Sequence, residues 1–171
     1  MTFVALDFET TGLDSEIGRV VEIGAIRFAT GPGSCVEEAS LACLVDPGMP
    51  IPRQASAIHG ISDEDVAGSP SFGEVAPALL ALAEGAVIVA HNVRFDLSFL
   101  DAELSRLGLS RPEAATQDTV ALARRAFPGR ASYRLGAIAS ALGIDAGSEH
   151  RALDDARTCM LLYRACAARL A

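Results

Sequence analysis

The sequence lacks any cysteine pair with the spacing of a zinc or redox motif. Its four cysteines lie apart from one another in apolar segments, at Cys35, Cys43, Cys159 and Cys166. Zinc sites and disulfide frameworks need regularly spaced cysteines, so this arrangement argues against both. We therefore expect reduced thiols in the core of a cytoplasmic protein.

Also lacking is any apolar run that approaches the roughly 20 residues of a membrane-spanning helix. The N-terminus has no basic stretch followed by an apolar one, so we expect no signal peptide. Half of the 171 residues are hydrophobic, which argues against disorder and provides for a sizeable core. These features predict one folded domain over residues 1–171.

Lysine is absent, and all 14 basic residues are arginine. Against 22 acidic residues, they leave a formal net charge of −8. Extensive nucleic-acid binding rests on many Lys and Arg contacts to phosphate, so the overall charge argues against a large nucleic-acid footprint. It leaves open a small active site that grips one or two nucleotides through metal ions.

Apolar runs and turn residues predict a mixed sheet with helices packed on it. Three strands are expected first, over residues 2–8, 20–28 and 35–45, and a Gly31-Pro32-Gly33 turn joins the last two into an antiparallel meander. A proline-rich loop then leads to a helix start at Ser62. The elements expected after it are a helix over 72–84, a strand over 86–90, and helices over 94–107, 118–127, 133–142 and 151–170.

Two carboxylates stand at the end of the first predicted strand. Asp7 and Glu9 are two residues apart, so on a strand they point to the same face. Like charges at the edge of a core repel unless something positive separates them, and a divalent cation with oxygen ligands meets that need. For this motif alone, a strand that merely ends in surface acids is the commoner explanation.

Two further carboxylates fall on inward helix faces. At 100° per residue, Asp96 lies with Phe99 and Leu100 on the apolar side of its helix. In the last helix Asp155 faces inward, whereas Asp154 falls on the side that carries Arg157, Thr158 and Arg164. Together with the strand pair these acids make a four-carboxylate metal site plausible. Buried acids bound to backbone amides or arginines are the alternative.

His150 precedes the last helix and lies five residues before Asp155, so both side chains could reach one site. The other two histidines are expected to be structural or at the surface. His59 belongs to a predicted turn, and His91 follows a buried strand.

Three segments that carry these residues resemble the motifs of DEDDh-type 3′–5′ exonucleases, the DnaQ-like group of the RNase H-like fold. They are residues 7–13, 90–96 and 150–156. Residues 58–61, 118–119 and 133–135 also resemble that family, particularly its polymerase-associated proofreading branch. Histidine at 150, rather than tyrosine, indicates the "h" subgroup. The resemblance implies an α/β, RNase H-like mixed five-stranded sheet, with a three-stranded antiparallel meander plus parallel strands, flanked by helices.

The resemblance further implies a hydrolase that uses two Mg²⁺ or Mn²⁺ ions. Asp7 would bridge both ions, and Glu9 and Asp155 would hold the ion that carries the attacking water. Asp96 would support the second ion, and His150 would accept the proton of the nucleophilic water. Four carboxylates balance two divalent charges, and two ions stabilise both the attacking and the leaving oxygen of an in-line displacement.

Substrate contacts are implied by the same resemblance. The backbone of the first motif would meet the terminal nucleotide and its 3′-OH, its leucine would wedge against the terminal bases, and two residues of the second motif would line the cleft. The residues concerned are Thr10, Thr11, Gly12, Leu13, His91 and Asn92. A turn, a core leucine and a strand-end cap are the ordinary alternatives. Asp118 is expected to cap its helix.

The predicted function is a 3′–5′ exonuclease that releases nucleoside monophosphates from single-stranded or frayed DNA, with a proofreading role among the options. Alternatives are an exoribonuclease resembling RNase T or oligoribonuclease, and a catalytically silent domain that binds nucleic acid or a polymerase. The expected partners are a nucleic-acid 3′ end, DNA rather than RNA, and a DNA polymerase subunit.

Overall fold

Strands dominate the first quarter of the chain and helices the remainder. The computed structural model describes residues 1–31, 34–147 and 150–171. In chain order its elements are β1 (Thr2–Thr10), β2 (Val20–Gly31), β3 (Ser34–Leu44), α1 (Arg53–His59), α2 (Asp63–Val66), α3 (Phe72–Ala83), β4 (Val87–Ala90), α4 (Val93–Arg106), β5 (Thr116–Asp118), α5 (Thr119–Ala126), α6 (Leu135–Ala141) and α7 (Ala152–Leu170).

Within the described residues the strands form one five-stranded sheet in the order β3-β2-β1-β4-β5. The first three strands pair antiparallel, as β1 with β2 and β2 with β3. The strands β4 and β5 continue the sheet in parallel from β1. This topology confirms the predicted fold class, an antiparallel meander extended by parallel strands, and it makes β1 the central strand.

The two faces of β1 face different groups of helices because side chains alternate along a strand. Val4, Leu6 and Phe8 join a buried cluster with residues of α3 and α4. Phe3 and Ala5 point the other way, into a cluster with Ala156, Cys159 and Met160 of α7. Odd-numbered residues of β1 therefore face α7, which decides where the acids at the end of the strand can lie.

Two elements were not expected from the residues. The helix α1 begins directly after Pro52, in the segment that the prolines predicted to be a loop. The strand β5 has only three residues, all polar, and pairs with β4. The predicted Gly31-Pro32-Gly33 turn lies partly outside the described residues.

Within the part of the chain that the structure describes, no helix has both the length and the apolar character needed to cross a membrane.

Candidate active site

The end of β1 brings two carboxylates to the α7 side of the sheet. Asp7 and Glu9 continue the odd-numbered face of Phe3 and Ala5, which packs on α7. Both acids are partly buried, with Phe8 buried between them on the opposite face. The period of two therefore aims the pair at the helix that carries Asp155.

Asp96 joins them from the first turn of α4. Its side chain is only 3% exposed, and its Oδ1 accepts a hydrogen bond from the backbone N–H of Phe8 at 3.2 Å. The ladder between β1 and β4 extends only from Phe3 to Ala5, so the Phe8 N–H lies beyond it and is free for a side chain. The predicted inward position of Asp96 is confirmed, and its carboxylate lies at the carboxyl end of β1.

The N-terminal end of α7 supplies the remaining residues. The backbone N–H of His150 donates to Asp155 Oδ2 at 3.0 Å. One potential ligand atom each from Glu9, His150 and Asp155 lies within 4.8 Å of the other two. Asp154 instead approaches Arg157, with 3.6 Å between Oδ1 and Nη1. The structure thus brings Asp155, and not its neighbour, to Glu9.

One residue of α7 departs from the helical-face prediction. Thr158 was expected on the outer side with Asp154, but it is only 1% exposed. Its hydroxyl donates to the carbonyl of Asp154 at 2.8 Å and lies 3.2 Å from the carbonyl of Ala146. The prediction for Thr158 is wrong because the loop before α7 covers that side of the helix.

Two backbone positions beside the site are strained. Among the described residues, Asn92 (φ 76°) and His150 (φ 61°) are the non-glycine residues with positive φ. Asparagine tolerates this left-handed conformation, whereas for most other side chains it costs about 1–3 kcal/mol. The strain occurs where α4 and α7 enter the site, as expected where a fold holds functional groups in a fixed geometry.

The acids perturb one another strongly. Burial raises the pKa of Glu9 to about 7, with the charges of Asp155 and Glu22 adding to the rise and Arg151 opposing it. Burial also raises the pKa of Asp96 to about 8, against the lowering effect of the Phe8 N–H. The pKa of Asp7 rises well above its usual value, first through burial and then through Asp96, Asp155 and Glu9.

Burial, followed by repulsion between the acids, causes these shifts, and positive charge placed among the acids would oppose both effects. Hard oxygen donors clustered around Asp7 suit Mg²⁺ or Mn²⁺, and a bound cation would let all of them ionise. The predicted metal site therefore fits the residues that the fold brings together.

Glu22 is a further residue of the site, which the sequence reasoning missed. It lies opposite Glu9 in the β1–β2 ladder and is only 6% exposed. Its Oε1 accepts from Arg151 Nη2 at 2.8 Å and Nε at 3.2 Å, and its Oε2 accepts the Ala152 N–H at 3.0 Å. The signal that could have revealed it was present, since Glu22 is an acid inside the apolar run of a predicted strand.

Gly24 explains why α7 can approach β2 so closely. A Cβ added at Gly24 would collide with the backbone of Ala152 and Leu153. A side chain there would push the start of α7 away from the sheet. Gly24 and Glu22 together seat the helix, the first by leaving room and the second by binding its first N–H.

A cleft of about 450 Å³ opens on the other side of Glu9, between the β1–β2 connection and α1. Thr10, Thr11, Gly12 and Leu13 line it. The Thr10 hydroxyl donates to the Gly12 carbonyl at 2.7 Å, and Thr11 Oγ1 accepts the Arg19 N–H at 2.9 Å. Both threonine side chains thus shape the turn itself, and the Thr11 N–H is also used within it, as donor to the Arg19 carbonyl at 2.9 Å.

Leu13 is 87% exposed, so it is not a core leucine. Ile58 of α1 lines the same cleft and is 59% exposed. Apolar side chains held in water beside a polar site are suited to stacking or wedging against bases. The wedge role of Leu13 stays a prediction.

His91 and Asn92 follow β4. The ring of His91 is held at both nitrogens, with Nδ1 2.9 Å from Thr119 Oγ1 and Nε2 2.8 Å from the Tyr133 carbonyl. These contacts favour a structural role for the ring over the predicted contact with substrate. Asn92 is exposed, and its backbone N–H donates to Asp118 Oδ1 at 3.2 Å. Asp118 also accepts the Val120 N–H, which confirms it as a helix cap.

His59 lies at the end of α1 rather than in a simple turn, and it is buried. Its Nδ1 accepts the Ile61 N–H at 3.1 Å, so the neutral ring carries its proton on Nε2. Nε2 makes no hydrogen bond of normal geometry with any described residue, although the nearby Thr10 backbone acts to raise the pKa of the ring. Burial outweighs that effect and lowers the pKa, so the ring is neutral near pH 7.

Comparison with known proteins gives a consistent result. The RNase_T family model, described as Exonuclease, matches residues 4–163. DNA polymerase III subunit epsilon of Treponema pallidum is 39% identical over 165 residues, which are 95% of this chain and 75% of that protein. The 3′-5′ exonuclease DinG of Bacillus subtilis is 34% identical over 162 residues, 94% of this chain and 17% of that protein.

Solved structures share the fold. E. coli exonuclease I in complex with a dA16 oligonucleotide superposes with a TM-score of 0.84 at 20% identity, over 98% of this chain and 41% of that one. Exonuclease X in complex with 5′ overhanging duplex DNA gives a TM-score of 0.70 at 29% identity, over 95% of this chain and 89% of that one. Several matched proteins are much longer, and the chain spans only 11% of a PolC-type DNA polymerase III from Thermotoga petrophila.

Proposed function

Because this chain belongs to the exonuclease family, we propose that it is a metal-dependent 3′–5′ exonuclease acting on DNA. One observation carries the proposal, namely the convergence of Asp7, Glu9, Asp96 and Asp155 with His150 at the carboxyl end of β1. The names of the matched relatives and the DNA bound in two structures of the same fold support DNA as the substrate.

In this proposal the four carboxylates would hold two divalent cations, Mg²⁺ or Mn²⁺. The cations, when bound, polarise the phosphodiester and neutralise charge in the displacement. His150 accepts a proton from the attacking water as the water oxygen bonds to phosphorus. The bond from phosphorus to the 3′ oxygen of the preceding nucleotide breaks, and that oxygen takes a proton from solvent. The products are a nucleoside 5′-monophosphate and a strand shorter by one nucleotide.

His150 suits the role of proton acceptor by its position. It is exposed beside the partly buried acids, and its backbone is fixed by the bond to Asp155. On the cleft side, the backbone of Thr10, Thr11 and Gly12 would receive the terminal nucleotide, with Leu13 against its base.

A 5′-labelled single strand tests the proposal directly. In Mg²⁺ or Mn²⁺ the label should appear in a ladder that shortens one nucleotide at a time, and EDTA should abolish it. A 3′-phosphate should block degradation, whereas a 5′-phosphate should not. Degradation of circular single strands would show an endonuclease and overturn the proposal.

The same assay separates the competing substrates. Labelled RNA of the same sequence should be degraded more slowly than DNA, and the reverse order would favour an exoribonuclease. Binding of DNA without metal-dependent turnover would indicate a catalytically silent domain. A DNA polymerase is the protein partner to test first, since one matched relative is named as a polymerase III subunit.

A further inference from the structure

The arginines of this acidic chain are unevenly distributed. Residues 119–144 contain four arginines and no acidic residue, although the whole chain has a net charge of −8. These arginines are Arg124, Arg125, Arg130 and Arg134, which we call the arginine segment. They lie on α5, on the loop after it and at the start of α6, and all four are exposed.

Elsewhere in the chain many arginines are neutralised by neighbouring acids. Ion pairs within 4.0 Å occur at Arg19, Arg27, Arg106, Arg111, Arg151 and Arg157. Among the described residues, no carboxylate forms such a pair with any member of the arginine segment. Its positive charge is therefore available to an external anion.

The segment is also held in a defined shape. The guanidinium of Arg124 lies 5.6 Å from the centre of the Tyr133 ring, and that of Arg130 lies 6.0 Å from the centre of the Phe127 ring. The Tyr133 hydroxyl donates to the Phe127 carbonyl at 2.8 Å and accepts the Arg130 N–H at 3.3 Å. These bonds close the loop on itself and limit the positions its arginines can take.

A direct connection ties this loop to the candidate active site. The carbonyl of Tyr133 lies 2.8 Å from Nε2 of His91, at the end of β4. Arg134, the next residue, lines a cleft of about 540 Å³ together with Gly136, Ser140, His150 and Asp155. This cleft therefore connects two of the proposed catalytic residues, His150 and Asp155, with Arg134 of the arginine segment.

This cleft is distinct from the one that is lined by Leu13. Glu9 lines the first cleft and Asp155 lines the second, so both clefts adjoin the acids. If the terminal nucleotide occupies the Leu13 cleft, the strand has to leave the site elsewhere. The 540 Å³ cleft offers that path, and the exposed side chain of Arg134 lines it.

We propose that the arginine segment binds the phosphate backbone of the DNA strand upstream of the scissile bond, with Arg134 as its residue nearest the site. This inference rests on the proposed exonuclease function. Guanidinium groups bind phosphate oxygens in a bidentate manner, and two of those in the segment lie over aromatic rings. The segment thereby supplies the nucleic-acid contact that the overall net charge obscures.

The test compares Arg134→Gln with Arg164→Gln, which removes the same charge from an exposed arginine that forms no ion pair with any described residue. Arg164 lines a separate cleft with Thr30 and Ser34, at the far end of the β2–β3 pair from Glu22. Binding of labelled oligo(dT) in EDTA is measured by fluorescence anisotropy from 50 to 200 mM salt. A single-strand contact contributes a slope of about −0.7 in log affinity against log salt per phosphate.

Arg134→Gln should weaken DNA binding roughly 3- to 10-fold at 50 mM salt and reduce the magnitude of the salt slope by about 0.7. Adding Arg130→Gln should reduce the magnitude of that slope further. Arg164→Gln should match wild type. In Mg²⁺, kcat/KM on the oligonucleotide should fall for Arg134→Gln. On p-nitrophenyl thymidine 5′-phosphate, which has no upstream strand, kcat/KM should stay within about twofold.

Equal salt slopes for Arg134→Gln and Arg164→Gln would overturn the inference. If the wild-type protein degrades DNA in the same experiment, the proposed function is unaffected. The inference would also be overturned if Arg134→Gln lowered kcat/KM equally on the oligonucleotide and on the small ester. The arginine would then act at the scissile phosphate. If wild-type protein neither binds nor degrades DNA, the proposed function itself fails. Thermal melting of each variant confirms that it is folded.

Discussion

Glu22→Gln should impair metal binding far more than an equally disruptive change elsewhere. The carboxylate of Glu22 holds Arg151 and the first N–H of α7, so it fixes the helix that carries Asp155 against the strand opposite Glu9. Glutamine keeps the size of the side chain but removes the charge and one acceptor. The start of α7 should then shift or fluctuate relative to β1.

Glu103 provides a matched control within the same chain. It is buried like Glu22, and its Oε1 accepts from Arg19 Nε at 2.8 Å and from the Val20 N–H at 3.1 Å. Each glutamate therefore binds an arginine and one backbone N–H of a neighbouring element, and Glu103 Oε2 also lies 3.7 Å from Nη1 of Arg106 on its own helix. They differ in that Glu103 lies on α4, away from the acid cluster, whereas Glu22 adds to the raised pKa of Glu9.

Both substitutions should lower stability, and Glu103→Gln should do so by the larger amount, since Glu103 pairs with both Arg19 and Arg106. A hydrogen bond to a charged group contributes about 1.5–3 kcal/mol, and in a chain of this size each 1 kcal/mol lowers Tm by roughly 2–4 °C. For Glu22→Gln we expect the loss of stability to lie at the lower end of that energy range, because removing the charge of Glu22 also relieves repulsion within the acid cluster. Thermal melting in EDTA measures these losses independently of the metal.

Metal affinity should separate the two variants. Residues that orient metal ligands typically contribute 10- to 100-fold to metal affinity, and we expect roughly tenfold weaker Mn²⁺ binding in Glu22→Gln. Calorimetric titration of Mn²⁺ into each metal-free protein measures it, and the Mg²⁺ concentration for half-maximal nuclease activity should move in parallel. Glu103→Gln should keep the wild-type midpoint. Equal midpoints in the two variants would refute a positioning role for Glu22.

Three other changes probe the site itself. Asp155→Asn should reduce metal-dependent turnover at least 100-fold and Asp154→Asn only a few-fold, and equal effects would show that the wrong acid was assigned to the site. His150→Ala should lower kcat by about 10² to 10⁴ while Mn²⁺ still binds, and an unchanged kcat and acid limb would exclude it as the base. Because the folded pKa values of Asp96 (about 8) and Glu9 (about 7) lie above the unfolded values near 4, the metal-free folded state binds more protons between those limits. Its Tm should therefore fall as pH rises from about 4 to 8. Asp96→Asn should flatten that slope, and saturating Mn²⁺ should abolish it.

Periodicity predicted much of the fold because its signals were local. The apolar runs that became β1, β2 and β4 and the amphipathic pattern of α3 and α4 agree with the structure to within a few residues. The sequence did not predict α1, because the prolines around Pro52 are typical of a loop. Proline has no N–H to donate, and at the start of a helix no backbone acceptor needs one. Pro52 can therefore occupy the position before α1 without preventing the helix. The strand β5 is polar and three residues long, and pairing with β4 alone defines it.

The site was predictable where a carboxylate conflicted with its surroundings. Asp96 stood out because its helix face was otherwise apolar, and the structure buries it against Phe8. Thr158 was misplaced because helical angles cannot reveal a covering loop. The role of Glu22 depends on Arg151, which is 129 residues away in sequence, and no local pattern contains that pair.

The burial of the acids and their proposed function are physically linked. The fold buries Asp7, Glu9 and Asp96 close together. Without metal, burial and mutual repulsion raise the pKa values of these acids. The four arginines of the arginine segment are exposed, and none of them forms an ion pair with a described carboxylate. Had they been inserted into the cluster, they would have neutralised it and removed its affinity for cations. In the proposed function, this separation of charge would leave the acids to bind metal ions and the arginines to bind the phosphates of the strand.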